Sequence, residues 1–265
     1  MLQGKQLLEA AGIGVPRLTA EVLLAHAVGR DRAWLFAHSD EELREVWWIH
    51  YGRYLHQRLQ GQPTQQITGV QEFYGRDFRV TKDVLIPRPE TEHVIEAALQ
   101  LNAKRVVDIG TGSGAIALTL ALETGAEVVA TDVSLAALHV ARANGRTLGA
   151  AVKWIACDLA SAVNGTFDLV VSNPPYVPAR DKTTLQREVR NYEPEVALYG
   201  GDDGLEIYRR LIPDAARLLA PGGWLVLEIG YALADSVHAL LSAWKDVEIR
   251  TDLAGLPRVI LARRT

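Results

Sequence analysis

The stretch Val106–Ala115 reads VVDIGTGSGA and decides the fold of this chain. An apolar run leads into three closely spaced glycines, and the following residues, Ala115–Glu123, favour a helix. A strand, a glycine turn and a helix in this order are typical of the first turn of a doubly wound, nucleotide-binding sheet. Glycine permits a tight turn and a close approach of the backbone to a ligand. We therefore predict ligand contacts from Gly110, Thr111, Gly112, Ser113 and Gly114.

Acidic residues follow the next two predicted strands. Asp132 comes after 127–131, where a carboxylate can accept hydrogen bonds from both ribose hydroxyls of a bound nucleoside. Asp158 follows a later apolar run and could accept from an adenine amino group, with Leu159 packing beside the ring. Either aspartate could instead be a helix N-cap. Taken alone, this set suits NAD as well as S-adenosylmethionine.

Residues Asn173–Tyr176, with the sequence NPPY, come directly after the apolar run 168–172. Two prolines cannot continue a strand because they lack a backbone N–H, so the chain must leave the sheet where such sheets bind ligands. An amide side chain, free carbonyls and an aromatic ring suit a planar NH2 group. We predict that Asn173, Pro174, Pro175 and Tyr176 are catalytic and bind substrate, with Asn173 also next to the cofactor.

These two motifs occur together with several others, and the whole set resembles the release-factor glutamine methyltransferases, the PrmC or HemK family. The resemblance extends over essentially all 265 residues. The glycine turn and NPPY are shared with other amino-group methyltransferases of class I, whereas the remaining segments are more specific. These segments are Ile86–Glu92 (IPRPETE), Tyr192–Pro194 (YEP), Ala197–Leu198, Gly200–Leu205 (GGDDGL), Asp252–Gly255 (DLAG) and Arg258–Val259.

The resemblance implies a reaction, a methyl donor and a partner. S-adenosylmethionine would donate a methyl group to the side-chain amide nitrogen (N5) of the glutamine in the Gly-Gly-Gln motif of peptide chain release factors, leaving S-adenosylhomocysteine and tuning translation termination. Asn173 Oδ1 and the Pro174 carbonyl would align the NH2 group, and Tyr176 would border it. We expect no metal, no direct nucleic-acid binding and a monomer.

Hydrophobic periodicity predicts three parts: a helical domain at 1–62, a β-hairpin linker at 63–85 and an α/β domain at 86–265. The resemblance implies that the first docks the substrate and that the last is the methyltransferase domain. In the first part we expect helices at Lys5–Ala11, Pro16–Val28 and Arg32–Ala37, and a longer one from a cap at Asp40 to Gln60. The last part should be a Rossmann-like α/β fold, a mostly parallel sheet with an antiparallel last strand. Its predicted strands are 105–109, 127–131, 152–157, 168–172, 223–229, 246–251 and 257–263, and its helices are 114–123, 134–148, 204–219 and 232–243.

Composition and charge narrow the functional classes. The net charge is −4, and residues 1–80 carry nine basic and nine acidic side chains, so no local excess attracts nucleic acid. No apolar run approaches the length of a membrane span, and we expect a cytoplasmic protein. The four histidines before residue 60 have no metal-binding spacing.

Three alternatives remain open on the residues alone. An enzyme that methylates DNA adenine or rRNA guanine would use the same NPPY chemistry. A dehydrogenase would explain the glycine turn but leave NPPY without a role. The third alternative is a catalytically dead cofactor-binding module, against which every motif position needed for chemistry is occupied. Arg88, Glu90 and Glu92 either border the substrate pocket or belong to the start of a helix.

Overall fold

The computed structural model describes residues 1–265 and contains helices in both halves of the chain, with strands from residue 70 onward. The helices are Leu2–Ala10 (α1), Pro16–Val28 (α2), Arg32–Ala37 (α3), Glu45–Leu59 (α4), Thr64–Thr68 (α5), Glu92–Leu99 (α6), Ala115–Thr124 (α7), Leu135–Leu148 (α8), Arg187–Tyr192 (α9), Glu206–Leu218 (α10) and Ala234–Leu240 (α11). The strands are Val70–Phe73 (β1), Arg76–Arg79 (β2), Arg105–Ile109 (β3), Glu127–Asp132 (β4), Val152–Ala156 (β5), Phe167–Ser172 (β6), Leu219–Glu228 (β7), Lys245–Thr251 (β8) and Pro257–Arg263 (β9). No helix is both long enough and apolar enough to cross a membrane.

The chain forms two compact units, the first of which comprises residues 1–70 and 186–192. Its core is built from apolar side chains of α1, α2 and α4, with Leu8, Leu23, Tyr51 and Leu55 fully or almost fully buried. Residues 186–192 lie within the range predicted for the methyltransferase domain, yet they pack in this unit. Arg58 Nη2 lies 2.5 Å from Glu188 Oε2 and holds α9 there.

The four helices predicted for residues 1–62 are present, but two of them start at other residues. The first, α1, begins at Leu2 instead of Lys5. Asp31 caps α3 by accepting from Trp34 N at 2.7 Å. The predicted cap at Asp40 is wrong, because α4 begins at Glu45 after the N-cap Arg44. A turn closed by Glu41 N donating to the His38 carbonyl occupies that position instead.

The predicted hairpin linker at 63–85 is only partly a hairpin. It begins with α5, which starts after Pro63 and ends at Gly69 in the left-handed conformation. Strands β1 and β2 then pair in a two-stranded sheet. Tyr74 and Gly75 both have positive φ between the strands, as a tight two-residue hairpin loop requires.

The second unit, residues 71–185 and 193–265, contains a seven-stranded sheet in the order β5-β4-β3-β6-β7-β9-β8. All neighbouring strands are parallel except β9, which is antiparallel to both β7 and β8. The predicted Rossmann-like sheet with an antiparallel last strand is therefore confirmed. The strand order reverses between β3 and β6, and this point of reversal is where open α/β sheets bind ligands.

Alternation along the central strands builds a core on each face of the sheet. Val106 and Val171 belong to the cluster formed with α6 and α7, whereas Val107 and Val170 belong to the cluster formed with α10 and α11. Because both faces are covered by helices, the strands are almost continuously apolar. The polar residues that follow β3, β4 and β6 therefore lie close together at the carboxyl ends of these buried strands.

Packing at Gly4 generates a stability prediction. A Cβ at this position would lie 2.0 Å from Oη and 2.9 Å from Cζ of the buried Tyr51 ring. We expect Gly4→Ala to lower the free energy of unfolding by about 1–3 kcal/mol through overpacking. The helical Gly52 has open space around it, so Gly52→Ala should be neutral or stabilise by up to about 1 kcal/mol. Urea unfolding of the two full-length variants checks this, and equal stability of the two would contradict it.

Candidate active site

A cavity of about 400 Å³ opens at the carboxyl ends of β3, β4 and β6. Most of the residues predicted to contact ligand line it, namely Gly110, Thr111, Gly112, Ser113, Asp132, Asp158, Leu159, Asn173 and Pro175. Three predicted residues do not form its wall: Gly114 is the N-cap of α7, Pro174 is buried, and Tyr176 is half-buried. Leu85, Pro87, Thr91, Ala197, Ile207 and Arg210 also contribute to the wall and were not among the predicted site residues.

The glycine turn is held in a conformation that other residues rarely adopt. Gly110, Gly112 and Gly114 have φ of 75°, 57° and 84°. A Cβ on Gly110 or Gly112 would meet no protein atom within 4 Å, whereas one on Gly114 would lie 3.0–3.2 Å from Leu118, Ala141 and Trp154. Gly114 is therefore required for packing, and the other two leave the backbone open to a ligand.

Asp108 is a buried carboxyl beneath this turn that the sequence prediction did not assign. Its Oδ2 accepts from Thr111 Oγ1 at 2.6 Å and from Ala117 N at 3.2 Å, which ties the turn to the start of α7. Burial raises its pKa to about 7, and the nearby Asp132 adds to this shift. The sequence did contain a signal for this residue, since Asp108 is an acidic residue inside an apolar strand. An unpaired charge buried in such a strand is costly, which indicates a specific role.

Asp132 connects the turn to the end of β4. Its Oδ2 accepts from Gly112 N at 2.9 Å and its Oδ1 from Ser134 N at 2.8 Å. The alternative that Asp132 caps α8 is wrong, since Ser134 is the N-cap and accepts from Ala137 N at 3.1 Å. Burial raises the pKa of Asp132, and the remaining lone pairs of its two oxygens can receive hydroxyl donors from the cavity.

Asp158 reaches the cavity but already has a partner. Its carboxylate forms an ion pair with the guanidinium of Arg210, from α10. No regular helix begins here, so the alternative of an N-cap is wrong for Asp158 as well. A ligand amino group at this position would share the carboxylate with Arg210, a neighbour that sequence spacing does not reveal.

The NPPY segment is fixed in position by contacts on both sides. Asn173 Nδ2 donates to Thr91 Oγ1 at 3.1 Å, which leaves Asn173 Oδ1 available to the cavity. On the other side, a Cβ on Gly200 would lie 2.5 Å from the Pro175 carbonyl, and one on Gly204 would lie 2.5 Å from the Tyr176 carbonyl. The glycines of the GGDDGL segment are therefore needed so that this loop can pack directly on the backbone after Asn173.

The IPRPETE segment has a defined structural role. Pro89–Thr91 forms a 3-10 turn that leads into α6, so the helical alternative for these residues is correct. Arg88 forms an ion pair with the buried carboxylate of Glu193, which joins this segment to the YEP segment. Glu92 Oε1 accepts from Tyr74 N at 2.8 Å, and Glu90 lies 4.0 Å from Arg258. None of these three charged residues lines the cavity, but Thr91 does.

The cavity fits a nucleoside-containing ligand. The turn offers backbone without intervening side chains, Asp132 offers a carboxylate, and the apolar Leu159 and Ile207 also line the cavity. Clusters of three or more histidine, cysteine, aspartate or glutamate side chains that could hold a metal are absent.

The fold and the cavity define a class I methyltransferase. The sheet is similar to a methyltransferase from Pyrococcus furiosus, with a TM-score of 0.58, 20% identity, and coverage of 72% of this chain and 90% of that one. Residues 91–191 match the methyltransferase small domain, and residues 1–69 match the PrmC N-terminal domain.

Full-length relatives then identify the family. The chain is 46% identical to the release factor glutamine methyltransferase of Koribacter versatilis, covering 97% of this chain and 94% of the relative. It is 43% identical to the one of Bradyrhizobium diazoefficiens, covering 97% and 91%. The chain therefore belongs to the release factor glutamine methyltransferase family. This confirms the family, the enzyme class and the S-adenosylmethionine donor that the motifs predicted, and it removes the dehydrogenase alternative.

The geometry of Asp132 predicts a loss of cofactor affinity on substitution. Asp132→Asn keeps the shape but removes the charge that would receive two ribose hydroxyls, so we expect the Kd for S-adenosylhomocysteine to rise by roughly tenfold or more. Isothermal titration calorimetry measures this directly. Asp168→Asn is a matched control, because Asp168 also accepts from two backbone N–H groups but at the opposite end of the sheet. An unchanged Kd for Asp132→Asn would remove Asp132 from the ribose role.

Proposed function

We propose that this protein transfers a methyl group from S-adenosylmethionine to the side-chain amide nitrogen, N5, of the glutamine in the Gly-Gly-Gln motif of peptide chain release factors. The proposal rests on the observation that two groups of residues line the same cavity: the glycine turn with Asp132, and Asn173 of the NPPY segment. Relatives that are more than 40% identical over nearly the whole chain bear the name release factor glutamine methyltransferase. The product is a methylated glutamine, which tunes translation termination.

The glycine turn, Asp132, Asp158 and Leu159 form the proposed cofactor side of the cavity. In this proposal Gly110, Thr111, Gly112, Ser113 and Gly114 shape the turn, Asp132 receives the ribose hydroxyls, and Leu159 packs beside the adenine ring. When bound, S-adenosylmethionine supplies an electrophilic methyl group, and its sulfur departs with the bonding electron pair as S-adenosylhomocysteine.

The NPPY segment forms the proposed substrate side. An amide nitrogen is a weak nucleophile because its lone pair is delocalised into the carbonyl group. Asn173 Oδ1 and the Pro174 carbonyl would accept the two N–H groups, orient the nitrogen and stabilise the positive charge that develops as the new N–C bond forms. Pro175 and Tyr176 would border the planar amide. Positioning for in-line attack can supply roughly 7–11 kcal/mol of the barrier, and the surplus proton leaves the nitrogen after transfer.

The first unit supplies the proposed docking surface for the release factor. We assign this role to the helical residues 1–62, and the catalytic role to 86–265. The balanced charge of the N-terminal region suits a protein partner rather than a phosphate backbone. The proposal includes a monomer that works in the cytoplasm, without direct binding to nucleic acid.

The decisive experiment incubates the protein with S-adenosylmethionine and a peptide chain release factor, followed by intact mass measurement and peptide mapping. We expect one added methyl group on the glutamine of Gly-Gly-Gln. A release factor with asparagine in place of that glutamine is the matched control and should gain no mass. Methyl label that enters DNA or ribosomal RNA instead of the release factor would overturn the substrate assignment and favour the nucleic-acid alternative.

Removal of the Asn173 side chain tests the catalytic assignment. We expect Asn173→Ala to lower kcat by roughly 10²–10³-fold, as loss of one preorganised hydrogen-bonding group does in other enzymes. The Kd for S-adenosylhomocysteine should stay within about threefold, which is less than 1 kcal/mol. Asn164→Ala, in an exposed loop, serves as the control. Turnover of Asn173→Ala within about threefold of the unaltered protein would exclude the positioning role.

A further inference from the structure

A chain of three polar side chains runs from the cavity into the core of the second unit. Asn173 Nδ2 donates to Thr91 Oγ1 at 3.1 Å, and Thr91 Oγ1 donates to Glu228 Oε2 at 2.6 Å. Thr91 is 4% exposed and Glu228 is 3% exposed. Neither is among the predicted site residues, and Glu228 does not line the cavity.

The strand register places Glu228 beside the NPPY segment. Ser172, the last residue of β6, pairs with Leu227 of the parallel strand β7, so Asn173 and Glu228 follow at the same level. The Glu228 carbonyl accepts from Tyr208 Oη at 2.9 Å, which anchors the end of β7 to α10. Thr91 reaches the same point from the 3-10 turn before α6.

The single hydroxyl proton of Thr91 determines the direction of both hydrogen bonds in this series. An ionised carboxylate can only accept hydrogen bonds, and a threonine hydroxyl has a single proton to donate. Since that proton is directed to Glu228, the Thr91 oxygen can offer Asn173 only lone pairs. The amide of Asn173 must then turn its NH2 group toward Thr91, and its Oδ1 toward the cavity.

We propose that Thr91 and Glu228 are positioning residues that hold Asn173 with its Oδ1 facing the NH2 group of the substrate amide. This inference rests on the proposed function, because Oδ1 is useful there only if the substrate presents N–H donors. Without the carboxylate, the Thr91 proton is free to point at Asn173. The Asn173 amide could then rotate and present its own NH2 group to the substrate, so that two donors would face each other.

The charged and titratable groups around Glu228 set its ionisation. The pKa of Glu228 is raised to about 7, chiefly by burial. Glu90 also acts to raise this pKa, whereas the hydrogen bond from Thr91 and the charge of Arg258, on β9, act to lower it. Tyr176 Oη lies 3.5 Å from Glu228 Oε1, and Tyr208 faces it from α10. The ionised form of Glu228 is the one that fixes the orientation of Thr91 and Asn173. The fraction of enzyme molecules that are active should therefore grow as the pH rises through about 7.

The test uses the full-length protein with a release factor and S-adenosylmethionine. We expect Thr91→Val and Glu228→Gln each to lower kcat by roughly 10- to 100-fold, while KM for the release factor and Kd for S-adenosylhomocysteine stay within about threefold. Thr91→Ser retains the hydroxyl and should restore most of the rate. Because the two residues act as one unit, the double variant should be no slower than the worse single variant.

Two controls separate positioning from loss of structure. Thr119→Val removes a hydroxyl that is also buried but has no hydrogen-bond partner, so it should leave kcat unchanged. The ratio of the unaltered rate to the Glu228→Gln rate should approach one at low pH, where Glu228 is protonated, and grow as the pH rises through about 7. A purely structural role of Glu228 would give a ratio that does not depend on pH.

Failure of this proposal is distinguishable from failure of the catalytic assignment. Full turnover of Asn173→Ala would overturn both. Loss of turnover in Asn173→Ala, with Thr91→Val and Glu228→Gln within about threefold of the unaltered rate, would overturn the positioning role alone. Additive losses in the double variant, or a Thr91→Ser variant as slow as Thr91→Val, would also overturn it.

Discussion

The chain cannot continue β6 beyond Ser172 as an ordinary strand, because Pro174 and Pro175 have no backbone N–H to give to a neighbour. This single constraint forces the backbone out of the sheet at the point where the strand order reverses. Asn173 is thereby placed at the rim of the cavity, on a segment that has no freedom to be drawn back into the sheet. Gly200 and Gly204 pack closely against the carbonyls of Pro175 and Tyr176, the residues that follow.

Two buried carboxyl groups support the opposite sides of this cavity in a similar manner. Asp108 accepts from Thr111 under the glycine turn, and Glu228 accepts from Thr91 behind Asn173. Burial raises the pKa of both to about 7, which means that the fold disfavours their charged forms. An apolar residue at either position would avoid that cost. Their presence is understandable if each holds a neighbouring backbone or side chain in one orientation.

The sequence was sufficient for those features that depend on neighbours along the chain. Apolar runs gave the strands of the sheet to within a few residues, and the glycine turn and NPPY gave about a third of the residues that line the cavity. It was insufficient where a contact depends on strand register or on a distant helix. Glu228 lies beside Asn173 because β7 follows β6 in the sheet, and Arg210 reaches Asp158 from α10. The predicted start of α4 was also wrong, because Asp40, the predicted cap, lies in a turn that follows α3.

The position of Glu228 also bears on how a weak nucleophile could be methylated without a base at the nitrogen. A base positioned to remove the proton early would compete with the acceptors that align the two N–H groups. Glu228 is separated from Asn173 by the Thr91 hydroxyl. In the proposed mechanism it would therefore polarise Asn173 without taking a proton from the substrate. The arrangement therefore favours orientation of the substrate nitrogen and stabilisation of its developing charge over proton abstraction. That preference agrees with a donor whose sulfonium sulfur is itself a good leaving group.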